Sequence, residues 1–205
     1  MNLGRGRAGR IVQMKVVIIG TGKLARLVSW YDGERSAFTT HAYTYHENRE
    51  PGKFMGYPVV SYRALPKLFP PSEFGVFVCE DDPEIRVKCF YEAKERGYRM
   101  PNFETAKARF HPNLQMGENN LLLDGSHVEP YVILGDNNVL WCDSHVCAHS
   151  RIGSHNFLDA ESLVGRDCEI GNNCRFGMRS MLLDGARVSD DTEVSPGEFV
   201  GHRHG

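Results

Sequence analysis

From Met116 to Val200 the chain is apolar at every sixth position. Met116, Leu122, Val128, Leu134, Leu140, Val146, Ile152, Leu158, Val164, Ile170, Phe176, Leu182, Val188, Val194 and Val200 form an unbroken series. With 41% hydrophobic residues overall, such a series in any of six registers arises by chance roughly once in a hundred thousand. Two positions earlier stands a small or amide side chain: Asn138, Ser144, Ser150, Asn156, Ser162, Cys168, Cys174, Ser180, Ala186 and Thr192. Glycine follows the apolar residue at Gly117, Gly135, Gly153, Gly165, Gly171, Gly177 and Gly201. A period of six matches neither a helix nor an ordinary strand. It predicts a hexapeptide β-helix, a left-handed parallel solenoid with one short strand and one corner per hexad. The apolar residue points inward, the small residue fills the corner, and glycine eases the turn. Three hexads close a triangular coil, so residues eighteen apart stack, and the series makes about five coils. A β-sandwich with a fortuitous repeat is the competing architecture.

Before residue 111 the pattern differs. Val16-Val17-Ile18-Ile19 is a continuous apolar run, as in a buried parallel strand. Gly20-Thr21-Gly22-Lys23-Leu24-Ala25 follows, with the spacing of a dinucleotide-binding turn, and leads into a helix through Tyr31. His41 to Tyr45 and Pro58 to Val60 read as strands, Arg63 to Phe69 as a helix ended by Pro70-Pro71, and Phe74 to Cys79 as another buried strand. Asp82 suits an N-cap and Pro83 a first helical turn. That helix runs to Arg96 with Gly97 as its stop, and Ile85, Val87, Phe90 and Ala93 as its apolar face. Alternating strands and helices predict a small Rossmann-like doubly wound α/β domain over 14–110. The β-helix then occupies 111–205, from the His111-Pro112 handover, and residues 1–13 form a flexible extension. Glu47 is a poor candidate for the acidic residue that dinucleotide enzymes carry after the second strand. The turn Gly20, Thr21, Gly22 and Lys23 therefore points to a nucleotide or nucleotide-sugar rather than NAD, unless it merely joins strand to helix.

The net charge of -2 leaves no footprint for nucleic acid, and Arg5, Arg7 and Arg10 are too few to change that. No apolar run is long enough to cross a membrane. With no signal-peptide core at the start, a cytoplasmic protein is expected. The six cysteines include no CxxC pair, so neither a zinc ribbon nor a redox motif is indicated. Cys168 and Cys174 occupy corner slots and read as packing residues.

The chain from Met14 onward resembles the two-domain bacterial sugar acyltransferases, hexapeptide-repeat enzymes that acetylate sialic acids or the amino groups of nucleotide-linked amino sugars. The resemblance is carried by Val17-Ile18-Ile19-Gly20-Thr21-Gly22, by Glu84-Ile85-Arg86 and Glu95-Arg96-Gly97-Tyr98, by Phe110-His111-Pro112, and most specifically by Asn138 through Phe157. It implies an α/β domain that holds a nucleotide-sugar. It also implies acetyl-CoA lying along the β-helix at a homotrimer interface, a histidine base there, and a place in lipopolysaccharide or capsule biosynthesis. The pattern departs at one point: Ala148 stands where the family has its catalytic histidine, and only the next residue, His149, is a histidine. Glu161 stands where relatives often carry another.

Transfer from a thioester needs a base for the nucleophile's proton and donors for the oxyanion. The eighteen-residue rule stacks His149 on Asp167, which would fix the imidazole tautomer, and His145 on His127. It sets His155 between Asn137 and Asn173, and aligns Asp143, Glu161 and Arg179 as an ion-pair column. His149 with Asp167, and secondarily His145, are the catalytic candidates. Trp141, His155 and Gly177 are the candidates for the acyl-CoA groove, although Trp141 also suits a subunit contact. The histidines are equally open to a solvated, non-catalytic reading. Metal binding across a trimer, as in γ-class carbonic anhydrases, is a third reading, and no metal site is assigned. The sequence thus points to an acetyl-CoA-dependent transferase acting on an amino or hydroxyl group of a nucleotide-linked sugar. The alternative is a non-catalytic nucleotide-sugar binder or scaffold that has lost its base.

Overall fold

The computed structural model describes residues 13–35, 38–46, 52–112 and 114–201. The extension up to residue 12 with Arg5, Arg7 and Arg10, the acid Glu47, and the terminal His202 and His204 lie outside the described residues.

The first domain is one five-stranded sheet with helices. The elements run β1 (Met14–Ile19), α1 (Lys23–Arg35), β2 (Phe38–Tyr45), β3 (Gly52–Phe54), β4 (Tyr57–Ser61), α2 (Leu65–Leu68), β5 (Gly75–Val78) and α3 (Pro83–Glu95). The sheet order is β3-β4-β2-β1-β5. β1 runs parallel to both β2 and β5, β2 is parallel to β4, and only β3 is antiparallel. Val16 to Ile19 and Val76 to Val78 are buried, as continuous apolar runs require. The predicted helix over 63–69 contracts to α2. The strand expected from His41 begins at Phe38, whose ring packs on Phe77 and Phe103 at 5.6 Å from each. Asp82 caps α3 as expected, its Oδ1 accepting from the Glu84 and Ile85 amides at 2.9 and 3.0 Å. The buried face of α3 is Arg86, Cys89, Phe90 and Ala93. Ile85 and Val87 are only half-buried.

Two-residue strands then follow one another from β6 (Phe103–Glu104) to β22 (Phe199–Val200). They stack into three parallel sheets in an eighteen-residue register, with pairs such as His127↔His145, Val139↔Phe157 and Arg151↔Glu169. This is a parallel β-helix. Every apolar hexad residue from Met116 to Val200 lies in or against one internal core. Cys168 and Cys174 fill corners with free, buried thiols. The solenoid starts earlier than residue 111. β6 pairs with the strand Leu121–Leu122, and Arg109–Phe110 pairs with His127–Val128, so the division at 110 falls inside the first coil.

The corners are sharper than the glycine positions suggested. The left-handed residue sits three positions before each inward one: Asn119, Tyr131, Asn137, Asp143, His149, His155, Glu161, Asp167, Asn173, Arg179 and Asp191 have φ between 55° and 66°. Most are Asn, Asp or His, the side chains that tolerate this region best. The glycines after the inward residue serve close coil stacking instead. A Cβ on Gly135 would come within 2.6 Å of Gly153 O in the next coil.

The two domains share a core. Val16, Ile18, Leu24 and Phe77 pack with Phe103, Leu121, Leu123 and Val139. Asn119 joins them like a strand partner: Val78 N–H donates to its Oδ1 at 2.7 Å, and its Nδ2 donates to Val78 O at 3.0 Å.

Candidate functional site

A cleft of about 460 Å³ opens where the start of α1 and the first turns of α3 face the β-helix. Lys23, Arg86, Trp141, His155, Phe157 and Arg175 line it. Arg86 dominates its electrostatics. The side chain is 2% exposed, and its Nε and Nη2 are buried with no hydrogen-bond partner among the described residues. Burial pulls its pKa down, and the like charge of Arg175 acts in the same sense. A buried cation with two unsatisfied donors is costly, and an anion with several acceptor oxygens is what would relieve it. The aromatic wall is Trp141 against Phe157, ring centroids 5.7 Å apart, with the Arg175 guanidinium 5.2 Å over Phe157.

His155 closes the cleft from the β-helix side, in an amide relay. Asn119 Nδ2 donates to Asn137 Oδ1 at 2.9 Å, and Asn137 Nδ2 donates to His155 Nδ1 at 2.8 Å. The imidazole proton therefore sits on Nε2, which donates to Tyr91 Oη at 3.1 Å. Burial, aided by the charge of Arg86, pushes the His155 pKa down to about 4. This histidine is held neutral in the domain joint.

The Gly20–Lys23 turn is not open to a phosphate in the way its spacing suggests. The Asp81 carboxylate, just beyond β5, accepts from the Lys23 and Leu24 amides at 2.7 Å each. The protein's own anion fills the positive end of α1. A Cβ on Gly22 would run into that carboxylate, and one on Gly20 into the Cys79 carbonyl. These glycines are explained by close strand-to-helix packing. The residue of this turn that lines the cleft is Lys23.

Around the corner from Trp141 lies a second cavity of about 940 Å³, lined by Tyr31, Lys107, Asp124, His127, Asp143 and His145. Here the His145 and His127 rings stack as expected, centroids 4.7 Å apart at 25°. His145 Nε2 lies 3.0 Å from Glu129 Oε1. The other carboxylate oxygen of Glu129 accepts from the Ala148 amide at 2.8 Å. That amide bond, followed by His145, holds the Glu129 carboxyl below its usual range.

His149 and Asp167 occupy one corner column, but no side-chain hydrogen bond joins them among the described residues. The Asp167 amide donates to Ala148 O at 3.2 Å. The His149 ring lies flat on Tyr131 instead, centroids 4.9 Å apart at 5°. Gly177 is buried under Pro196 of the next coil, which explains it by packing. Arg179 pairs with Glu161 at 2.8 Å, as the column rule predicted. Sequence reasoning missed Arg86, Arg175, Glu129 and Asp81 as site-forming residues. Only Arg86 carried a signal, through the Glu84-Ile85-Arg86 motif.

No protein-family profile and no curated protein matches the chain, whereas solved structures do. A variant of perosamine N-acetyltransferase from Caulobacter crescentus, in complex with CoA and GDP-perosamine, aligns with TM-score 0.81 and 24% identity over 92% of this chain and 89% of that one. The acetyltransferase domain of PglB from Neisseria gonorrhoeae, in complex with acetyl coenzyme A, aligns with TM-score 0.53 and 18% identity over 93% and 97%. WeeI from Acinetobacter baumannii aligns with TM-score 0.56 and 16% identity over 92% and 97%. At these identities the likeness fixes the architecture: this chain has the fold of perosamine N-acetyltransferase, an α/β domain carried on a parallel β-helix.

Proposed function

We propose that the protein transfers an acetyl group from acetyl-CoA to the amino or hydroxyl group of a nucleotide-linked sugar. The observation that carries this reading is the buried Arg86 guanidinium in the interdomain cleft, whose Nε and Nη2 have no hydrogen-bond partner among the described residues. Lys23, Arg86 and Arg175 suit the diphosphate, and the Trp141–Phe157 wall suits a flat base or sugar face. The structural neighbour from Caulobacter binds CoA and GDP-perosamine, which fits an amino-sugar acceptor here.

The sugar would reach around the Trp141–Ser144 corner into the cavity at His145. His145 is favoured over His149 as the base because Glu129 fixes it. With Nε2–H donated to the carboxylate, Nδ1 is the lone pair that takes the nucleophile's proton. The nucleophile attacks the thioester carbonyl directly, the new C–N or C–O bond replaces the C–S bond, and the CoA thiolate leaves and is protonated. The sheet bearing His145 also presents Leu163, Met181 and Phe199, the last 65% exposed. That apolar column suits a homotrimer contact that would complete the acyl-CoA groove.

The test is incubation with acetyl-CoA and a panel of nucleotide-linked amino sugars while free thiol is followed. Thiol release that depends on one sugar nucleotide supports the reading. Ala148 at the family's base position and the stacked His149 favour a second reading, a binder without turnover. Tight nucleotide-sugar binding with no thiol release would select it.

A further inference from the structure

We propose that Glu129, His145 and Cys147 bind a divalent transition-metal ion, Zn2+ being the ion their donor set suits. The coil register makes the arrangement. Cys147 stacks eighteen residues above Glu129, and His145 precedes Cys147 by two, so that it leaves the same face of the solenoid on the short strand His145–Val146. One donor atom from each lies within 4.8 Å of the other two, the only such group among the described residues. His145 Nε2 and Glu129 Oε1 are already 3.0 Å apart, close to the edge of a tetrahedral zinc site with bonds of about 2.0 Å. Small rotamer shifts bring the sulfur in.

The surroundings hold the donors in place. Ala148 N–H fixes the second carboxylate oxygen at 2.8 Å, and the stacked His127 ring fixes the plane of His145. Such outer contacts orient metal ligands. All three donors are half-buried. His145 lines the cavity with Lys107 and Asp124, and Cys147 lines another with Leu163 and Asp184. A fourth coordination position would have open space to face. A thiolate and an imidazole with one carboxylate select a borderline-soft ion and disfavour Mg2+ and Ca2+. The obvious rival for such a trio is a nucleophilic cysteine. Burial and the Glu129 charge push the Cys147 thiol up, against what a nucleophile needs. A bound cation removes that opposition, because metal coordination deprotonates the thiol outright.

The site shares His145 and Glu129 with the transfer proposed above. An ion on His145 Nε2 moves the imidazole proton to Nδ1, so the metal-bound and base forms are alternatives. Metal binding does not depend on that reaction, and the test reads the metal alone. The full-length chain is titrated with Co2+, then with Zn2+ against a chromophoric chelator. The expected result is one ion per chain, tetrahedral cobalt absorption with a thiolate-to-metal charge-transfer band, and displacement of cobalt by zinc. Cys147→Ser should abolish the charge-transfer band and weaken zinc by at least about tenfold. Glu129→Gln should weaken zinc about 10- to 100-fold and keep the band. Cys142→Ser, which alters a thiol outside the trio, should change neither. Absence of the band in the unaltered protein, or zinc binding undiminished in Cys147→Ser, overturns the proposal. Thermal unfolding of each variant reports folding. If Cys147→Ser does not fold, the cobalt spectrum of the unaltered protein and Glu129→Gln decide.

Discussion

His145 and Glu129 meet at 3.0 Å although they stand sixteen, not eighteen, residues apart. The strict coil register stacks His145 on the His127 ring, and the longer glutamate reaches diagonally from the adjacent column. This diagonal pairing gives His145 the carboxylate that His149 lacks. Replacing His145 by Ala is expected to lower kcat for acetyl transfer by about 10²–10⁴-fold. Glu129→Gln, which bears on the proton transfer through His145, should cost less. His149→Ala should cost less than either. Steady-state thiol release with saturating acetyl-CoA checks the ranking, and the reverse order would return the role of base to His149.

Arg86 gives a sharper separation between folding and binding. Two of its guanidinium nitrogens, Nε and Nη2, are buried with no hydrogen-bond partner among the described residues. Arg86→Met is therefore expected to leave the free chain as stable or to stabilise it by about 1–2 kcal/mol. The same change should weaken nucleotide-sugar binding about 10- to 100-fold, the worth of hydrogen bonds to a charged group. Urea unfolding and titration calorimetry on the same preparation test both halves. A variant that binds normally would leave the cleft without its anion.

His155 sets a pH limit. Its pKa falls from 6.5 in the unfolded chain to about 4 in the folded one. Between those values the unfolded chain binds a proton that the folded chain refuses. Stability is thus complete above about pH 7 and declines as pH falls through the window, by on the order of 2–3 kcal/mol. Unfolding free energies measured from pH 7 to pH 4 should show this slope, and it should flatten in His155→Gln.

Asn119 should be among the costliest polar side chains to remove. Asn119→Ala leaves both Val78 N–H and C=O without partners and breaks the relay to Asn137 and His155. A loss of about 2–4 kcal/mol is expected, read as a lower urea midpoint. A loss within 0.5 kcal/mol, about the scale of an ordinary surface change, would mean that the shared apolar core alone holds the domains together.

The solenoid was legible because its inward residues obey a period set by backbone geometry, and each hexad repeats the same demand. Asp82 and Gly97 were legible for a similar reason, since a helix end is a local problem with local solutions. The candidate site was read only in part. Arg86 stood out only as part of a motif, because the surface that buries it, around Phe157 and Arg175, lies roughly seventy to ninety positions further on. Gly20 and Gly22 fitted a phosphate cradle because nothing in that stretch shows that Asp81 would fill it. The eighteen-residue rule placed His149 and Asp167 in one column correctly, but a rule about Cα positions does not say which way a corner side chain leans. His149 leans on Tyr131.

The shared core of Phe38, Phe77 and Phe103 with Leu121, Leu123 and Val139 bears on how such a chain diversifies. The halves are not interchangeable cassettes. A cut at residue 110 would strip away the opening coil and leave greasy side chains bare on both pieces. Under the proposed transfer, new acceptor specificity is therefore expected to arise by exchanging side chains along the seam, with the two halves inherited together.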